Sequence, residues 1–313
     1  MQTHNIKEDM KCINGSTWKH LGPACALLAA WTPGGGAVLF EDTFTYPDGD
    51  VVGAVGSPWA PHSAAGSGPV SIQQGWLVLS ADGAEDISAL LEGAPYATDG
   101  SAGPLYAGFT LEVTALPSTG GAYFAHFRNT ASSHRGRLWI SQSGAAEGSY
   151  RLGVGNSSGA DATTGPWDAD LQPGTPHRVV LRYVPETGLS TLWVDPGSES
   201  DPGVTATDAP GITAISNFSL RQSGDIGQLR IDDLAVSDRF DEVLRNGMRL
   251  AVRHESQGLV LSWPVSPEAW RVEWTTNLEA WSVLDAEPTQ VGQVMELRPE
   301  ATGSRAFYRL VQP

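Results

Sequence analysis

Two pairs of neighbouring acidic residues stand on strand-like segments far apart in this sequence. Glu41 and Asp42 lie in the first such segment, and Asp232 and Asp233 lie in a much later one. In a β-sandwich the final strand often returns beside the first, and calcium prefers several carboxylate and carbonyl oxygens. These four residues therefore predict a structural calcium site. The alternative is that one acid of each pair points into solvent or stabilises an irregularity in its strand.

The later acidic pair also interrupts an apolar alternation. Leu229 and Ile231 share one face of a strand, whereas Leu234 and Val236 fall on the other. A slip of one residue in a period of two is what a β-bulge produces. The pattern predicts a bulge at Asp232–Asp233.

A second group of candidates combines aromatic and basic side chains on neighbouring strands. Strict alternation places Phe124 on the same face as the histidine and arginine that follow it. Sugars bind to aromatic faces with a few polar groups on a concave surface. The candidate ligand-binding residues are His126, Arg128, Arg137, Trp139 and Arg151. The alternative is that these side chains pack beneath a loop.

Signatures of enzymes are weak. The run Gly155–Gly159 has the spacing of a nucleophile elbow, but the residues after it do not form a helical pattern. No glycine-rich stretch follows a strand and opens a helix, so no organic cofactor is predicted. The histidines show no spacing typical of metal ligands: His62, His126, His134, His177 and His254. We therefore predict no catalytic residues.

Composition favours an all-β protein. The 313 residues include 36 Gly and 21 Pro, and only 17% are charged. The net charge of −16 argues against nucleic acid and anionic membranes as partners. No apolar run is long enough to insert into a membrane.

Residues 1–37 resemble a secretion leader. A positive start precedes the short apolar core Leu21–Trp31, and small residues at Gly34–Ala37 would permit cleavage. This predicts a secreted protein, extracellular or at the cell surface, with the periplasm as the alternative location. Both cysteines, Cys12 and Cys25, precede the first strand, so the folded part has no disulfide.

Ten strand-like runs separated by turn residues follow the leader and predict an antiparallel jelly-roll β-sandwich. They are Val38–Tyr46, Val70–Ser80, Leu105–Leu116, Ala122–Asn129, Gly136–Ser141, Tyr150–Asn156, His177–Val184, Leu189–Val194, Ala214–Gln222 and Gly227–Val236. The clearest hairpin turns at 185–188.

The order of short motifs within 38–240 resembles a laminin-G-like jelly roll of the concanavalin A-like class in secreted bacterial proteins. The motifs are Leu39–Phe44, Gly136–Ile140, Tyr150–Val154, Val179–Tyr183, Leu192–Pro196, Leu220–Gln222 and Ile231–Val236. The resemblance implies a glycan-binding module, an adhesion domain or an enzyme. Calcium-stabilised members place an ion where first and last strands meet. Laminarinase-like members carry Glu-x-Asp-x-x-Glu on one strand, which is absent here.

A connector at 241–246 leads into a second unit at 247–313. Its strand-like runs Leu259–Pro264, Trp270–Thr275 and Phe307–Leu310 resemble a small fibronectin-III-like ending of the Verrucomicrobia type. The fold class is thus a jelly-roll β-sandwich followed by a small β-sandwich-like domain.

The function that the sequence favours is non-enzymatic binding of extracellular or cell-surface polysaccharide. One alternative is a structural or adhesion component without a glycan site. A second is a polysaccharide hydrolase or lyase, which would need two acids, or a His–Tyr or Arg group, converging in one groove. The sequence does not indicate an oligomeric state.

Overall fold

The computed structural model describes residues 37–157, 164–244, 250–255, 258–265, 269–278, 280–291, 294–299 and 306–311. These fall into two compact units, 37–244 and 250–311. The predicted leader lies almost wholly outside the described residues. No described helix is both long and apolar enough to cross a membrane.

The strands of the first unit alternate with short turns. They are β1 Val38–Asp42, β2 Gly49–Asp50, β3 Ala60–Ser63, β4 Ser71–Gln73, β5 Trp76–Ser80, β6 Asp86–Leu90, β7 Leu105–Ala115, β8 Ala122–Arg128, β9 His134–Ser141, β10 Arg151–Gly155, β11 Gly165–Pro166, β12 His177–Val184, β13 Leu189–Val194, β14 Val204–Thr205, β15 Asn217–Leu220 and β16 Gln228–Ser237. One helix, α1, spans Phe240–Leu244 among these described residues.

Two antiparallel sheets form this unit. Within the described residues, the first sheet has nine strands in the order β14-β13-β12-β7-β16-β5-β4-β2, with β1 paired to β16. The second has seven, in the order β11-β10-β9-β8-β15-β6-β3. Two packed antiparallel sheets confirm the predicted all-β sandwich class.

The predicted pairing of first and last strands is present. Phe40 and Asp42 of β1 pair with Val236 and Leu234 of β16. Strand β5 pairs along the same edge of β16, but only as far as Ile231. The register of β16 against β7 shifts between Asp232 and Ala235. The predicted bulge therefore lies between the part of β16 that pairs with β5 and the part that pairs with β1.

The bulge changes which face the apolar residues occupy. Leu229 and Ile231 belong to the same buried core as Leu234 and Val236. The expectation of opposite faces is therefore wrong. Asp233 takes a positive φ of 51°, and the extra residue restores the inward phase of the strand.

The core lies between the sheets and is rich in aromatic rings. Phe109 of the first sheet lies 6.2 Å, centroid to centroid, from Phe124 of the second. Phe127 contacts Phe218 at 5.4 Å and Tyr183 at 6.2 Å. These residues are fully buried, so this unit needs no disulfide among its described residues to hold the sheets together.

Several strand limits differ from the sequence prediction. Val70–Ser80 is a hairpin rather than one strand, because Gln74 and Gly75 adopt positive φ between β4 and β5. The first strand ends at Asp42 instead of Tyr46, because Phe44 also adopts a positive φ. A further strand that the sequence analysis did not predict, β6, begins at Asp86.

Helix α1 covers the outer face of the first sheet. Phe240 and Val243 are buried, and the Phe240 ring lies 5.0 Å from Trp193 and 5.6 Å from Tyr106. Residues 241–244, predicted as connector, are therefore part of the first unit.

The second unit contains β17 Ala251–Glu255, β18 Gly258–Pro264, β19 Arg271–Thr275, β20 Ser282–Val283, β21 Thr289–Val291, β22 Val294–Leu297 and β23 Phe307–Val311. Among its described residues they form sheets in the orders β17-β18-β22-β21 and β20-β19-β23. Trp263 of β18 is buried within this unit. The likeness of the second unit to a fibronectin-III domain stays a prediction.

Candidate functional site

Polar side chains converge on the outer face of the second sheet. Phe218 and Leu220 of β15 point into the core, so Ser219 between them points outward. Ser219 pairs in register with Ser88 on one side and with His126 on the other. Three neighbouring strands thus present a serine, a serine and a histidine on one face.

The two serines form a small hydrogen-bonded floor. The Oγ atom of Ser88 lies 2.9 Å from that of Ser219 and 2.7 Å from Nδ1 of His62. Arg128 donates from Nη1 to the same Ser88 oxygen at 3.2 Å. Since serine side chains are short, His62 on the edge strand can approach His126 above them, with ring centroids 6.0 Å apart.

His134, at the start of β9, completes a group that we call the histidine cluster: His62, His126 and His134. The rings of His126 and His134 lie 4.3 Å apart. One ring nitrogen from each of the three histidines lies within 4.8 Å of the others. Across the described chain, this is the one group of three His, Cys, Asp or Glu residues close enough to hold a metal ion.

His126 is fully buried within this cluster. Neither of its ring nitrogens has a hydrogen-bond partner among the described residues, and the same is true of Nε2 of His62. A buried nitrogen without a partner carries a desolvation penalty of about 1–3 kcal/mol. The unsatisfied nitrogens therefore need an explanation beyond packing.

Two arginines contact the ring of Tyr123 beside the histidine cluster. The guanidinium carbon of Arg221 lies 4.4 Å from the centre of the Tyr123 ring, and that of Arg137 lies 4.9 Å from it. The Tyr123 hydroxyl lies 3.3 Å from Nδ1 of His134. Trp139 adds its ring 5.7 Å from Tyr123. Aromatic and cationic groups are thus combined on one face of the sheet.

Electrostatics keep the three imidazoles neutral at neutral pH. Burial, together with the charge of Arg128, lowers the pKa of His62 to about 4 and that of His134 to about 4. Burial also places the pKa of His126 well below its ordinary value. The neutral imidazole is the form that binds metals or exchanges protons.

One carboxylate lies near the arginines. Burial raises the pKa of Asp86 to about 6, while the charges of Arg221 and Arg128 and the N–H of Gln222 act in the opposite direction. This face therefore remains predominantly cationic in a strongly acidic chain.

The structure brings four of the predicted ligand-binding residues together but buries them. His126, Arg128, Arg137 and Trp139 are all buried, and the Arg137 guanidinium lies 5.2 Å from the Trp139 ring. These four side chains therefore form one cluster that is largely covered from solvent. Arg151 lies apart, in ion pairs with Asp170 at 2.6 Å and Asp168 at 3.4 Å.

Phe124 does not share the face of His126. The register of β8 against β9 shifts between Tyr123 and Ala125 and again between Ala125 and Phe127. Phe124 consequently belongs to the core, and Tyr123 takes the outward position.

The structure does not gather three of the predicted calcium ligands Glu41, Asp42, Asp232 and Asp233 into one cluster. No three of these described carboxylates offer oxygens within 4.8 Å of one another. The buried Asp42 accepts hydrogen bonds at 2.8 Å from Trp59 Nε1, Tyr46 Oη and the Phe44 N–H. Because these donors already surround the carboxylate, the residues as arranged do not fit a calcium ion.

The acids of the bulge have local partners instead. Asp232 accepts a hydrogen bond from the Asp233 N–H at 2.7 Å, and Arg178 donates to the Asp233 carbonyl at 2.9 Å. Glu41 is exposed. Burial and the neighbouring charges of Asp233 and Asp42 raise the pKa of Asp232 to about 7.

Sequence reasoning missed His62, His134, Tyr123 and Arg221 as members of the site. The three histidines are far apart in sequence or on different strands, so no spacing motif relates them. Their convergence depends on the pairing order β9-β8-β15-β6-β3. The outward serines 88 and 219, between apolar neighbours, were the available signal.

No family model and no curated protein matches this sequence. The structure is similar to that of a sialidase, with 16% identity over 63% of this chain and 19% of the sialidase, at a TM-score of 0.40. It is also similar to the Emp46p carbohydrate recognition domain in its potassium-bound form, with 14% identity over 58% of this chain and 89% of that domain, at a TM-score of 0.35. Lectin I-B4 from Griffonia simplicifolia, in its metal-free form, is also similar, with 11% identity over 58% of this chain and 93% of the lectin, at a TM-score of 0.38. Such likeness concerns the fold alone.

Proposed function

We propose that this protein binds an anionic polysaccharide at the outer face of the second sheet, without cleaving it. The observation that supports this proposal is Tyr123, whose ring contacts the guanidinium groups of both Arg221 and Arg137. Tyr123 and Arg221 are half-buried, so each retains surface for a ligand. Aromatic faces stack on sugar rings, and guanidinium groups bind carboxylates and sulfates.

Charge distribution favours an acidic ligand over a neutral one. Three of the chain's 19 Lys and Arg residues lie on this face, near His134: Arg128, Arg137 and Arg221. A polyuronate or a sulfated glycan offers the anionic groups that such a face recognises, and the neighbouring acidic surface would repel it from other positions.

Binding of the full chain to polygalacturonate, alginate, a sulfated glycan and a neutral glucan tests the proposal. We expect saturable binding to at least one anionic polymer, weakened about tenfold or more by Arg221→Gln. Arg230→Gln is the matched control, since Arg230 lies 4.7 Å from the Trp76 ring on the other sheet. Failure to bind any anionic polymer, or equal losses in both variants, would contradict the proposal.

A second candidate function is elimination on a polyuronate. It is favoured by the 3.3 Å approach of the Tyr123 hydroxyl to His134 Nδ1, beside arginines that could neutralise a substrate carboxylate. A lyase of this kind removes the proton next to the carboxylate and expels the glycosidic oxygen. An unsaturated product can be detected by its ultraviolet absorbance. If the wild type forms this product and Tyr123→Phe does not, the function is catalysis rather than binding.

A further inference from the structure

We propose that His62, His126 and His134 bind a zinc ion on the outer face of the second sheet. The histidine cluster offers a nitrogen from each residue, all within 4.8 Å of one another. Three histidines are a recognised zinc ligand set that leaves one coordination position open. The proposal does not depend on polysaccharide binding.

The unsatisfied nitrogens point to a ligand. His126 is fully buried and has no hydrogen-bond partner for either ring nitrogen within the described residues. Nε2 of His62 is likewise buried without a partner. A metal ion would bind the lone-pair nitrogen of each neutral ring directly, whereas a packed core would place hydrogen-bond partners beside these nitrogens or exclude the imidazoles.

The neighbouring side chains orient the outer two rings as metal ligands are usually oriented. Nδ1 of His62 lies 2.7 Å from the Ser88 hydroxyl, which leaves Nε2 for the metal. Nδ1 of His134 lies 3.3 Å from the Tyr123 hydroxyl, so its Nε2 is the remaining donor atom. Hydrogen bonds to the second ring nitrogen fix the tautomer and the direction of a metal-binding histidine.

Coordination requires only a modest approach of the rings. Zinc–nitrogen bonds of about 2.0–2.1 Å in a tetrahedron place nitrogens about 3.3 Å apart. His62 and His134 are only half-buried and can rotate about their side-chain bonds, whereas His126 is held by its surroundings.

The neighbouring arginines affect both the affinity of the site for a cation and the kind of fourth ligand that it favours. Arg128, Arg137 and Arg221 lower the affinity for any cation, while Asp86 attracts Arg128 and Arg221 and offsets part of that charge. The same arginines favour an anionic fourth ligand, such as hydroxide or a carboxylate, at the open position. Calcium is disfavoured because it prefers oxygen ligands.

The site is tested by titrating zinc into the chelator-treated full chain and measuring the binding by calorimetry. Absorbance of the cobalt-substituted protein then shows whether nitrogen atoms coordinate the metal. We expect one zinc per chain and a raised melting temperature. His62→Gln and His134→Gln should each weaken zinc binding at least tenfold. The matched control is His177→Gln, because His177 is also half-buried but contacts Asp195 at 2.7 Å on the other sheet.

Circular dichroism of each variant verifies that the fold is retained. Absence of saturable zinc binding by the wild-type chain at neutral pH would overturn the proposal. So would zinc binding that survives both His62→Gln and His134→Gln, or an equal loss in His177→Gln. Arg221→Gln retains all three histidines, so loss of polysaccharide binding with zinc binding intact would separate the two proposals.

Discussion

The hydroxyl oxygens of Ser88 and Ser219 lie 2.9 Å apart on adjacent strands, on the same face as the histidine cluster. Ser88 also contacts His62 Nδ1 and Arg128 Nη1, so one buried hydroxyl connects three neighbouring side chains. The space above this pair is what allows histidines from strands β3 and β8 to meet. The serine pair is thus a structural condition for the cluster.

Ser88→Ala should destabilise the fold while leaving its backbone unchanged. The substitution removes three polar contacts and leaves buried partners unsatisfied, so we expect the free energy of unfolding to fall by about 1–3 kcal/mol. Urea unfolding measures this change. Ser71→Ala is the control: among the described residues, the Ser71 hydroxyl accepts one hydrogen bond, from the exposed Gln73 side chain at 3.3 Å, and the substitution should cost less than about 0.5 kcal/mol. Equal losses would show that the Ser88 contacts contribute little.

Calcium should not stabilise the junction of the first and last strands. Asp42 already accepts hydrogen bonds from Trp59, Tyr46 and Phe44, and no group of three described acids at this junction is close enough to hold an ion. Adding calcium to metal-free protein at constant ionic strength should leave the melting temperature unchanged. A rise that is specific to calcium and lost in Asp42→Asn would restore the calcium site.

Much of the fold could be predicted because its signals are local. The alternation in Val179–Tyr183 and the turn residues before Leu189 predicted the β12–β13 hairpin, which the structure contains. The interrupted alternation at Asp232–Asp233 predicted the bulge. The pattern did not show that the bulge returns Leu234 and Val236 to the same core, because that depends on which strands border β16.

The candidate site was only partly predictable, for a related reason. Arg137 and Trp139, two residues apart on β9, lie on the same face, and both were candidates from the sequence. Alternation failed in β8, where register shifts turn Phe124 inward and Tyr123 outward. His62 joined the site through strand order across the sheet, which no local pattern encodes.

Asp232 should make the protein less stable as pH rises from about 4 to about 7. Burial and nearby carboxylates raise its pKa from 3.8 to about 7, so the folded state retains a proton that the unfolded state has released. The stabilisation is complete below the unfolded pKa and is lost as pH rises through the folded one. Asp232→Asn keeps the side-chain shape and should remove this loss, gaining on the order of a few kcal/mol at pH 8.

Urea unfolding of the wild type and Asp232→Asn between pH 4 and pH 8 measures this difference. Asp168→Asn controls for the loss of one negative charge, because the Asp168 side chain is 96% exposed. If the difference between Asp232→Asn and wild type does not grow with pH, or grows equally for Asp168→Asn, Asp232 is not the responsible group.

Arg178 should be a main determinant of how helix α1 is held on the first sheet. Its buried guanidinium donates to the carbonyls of Val243 in α1, at 3.1 Å from Nε, and Asp233 in the bulge, at 2.9 Å from Nη1. Arg178→Met fills similar space but leaves both carbonyls without this donor, so we expect a loss of about 2–4 kcal/mol. Arg182→Met, on the same strand, removes a part-exposed ion pair with Glu199 at 3.1 Å and should cost about 1 kcal/mol or less. Urea unfolding of both variants measures the contrast, and proteolysis near α1 shows where the structure loosens. Similar losses in the two variants, or no added cleavage near α1 in Arg178→Met, would mean that the apolar contacts of Phe240 suffice to hold the helix.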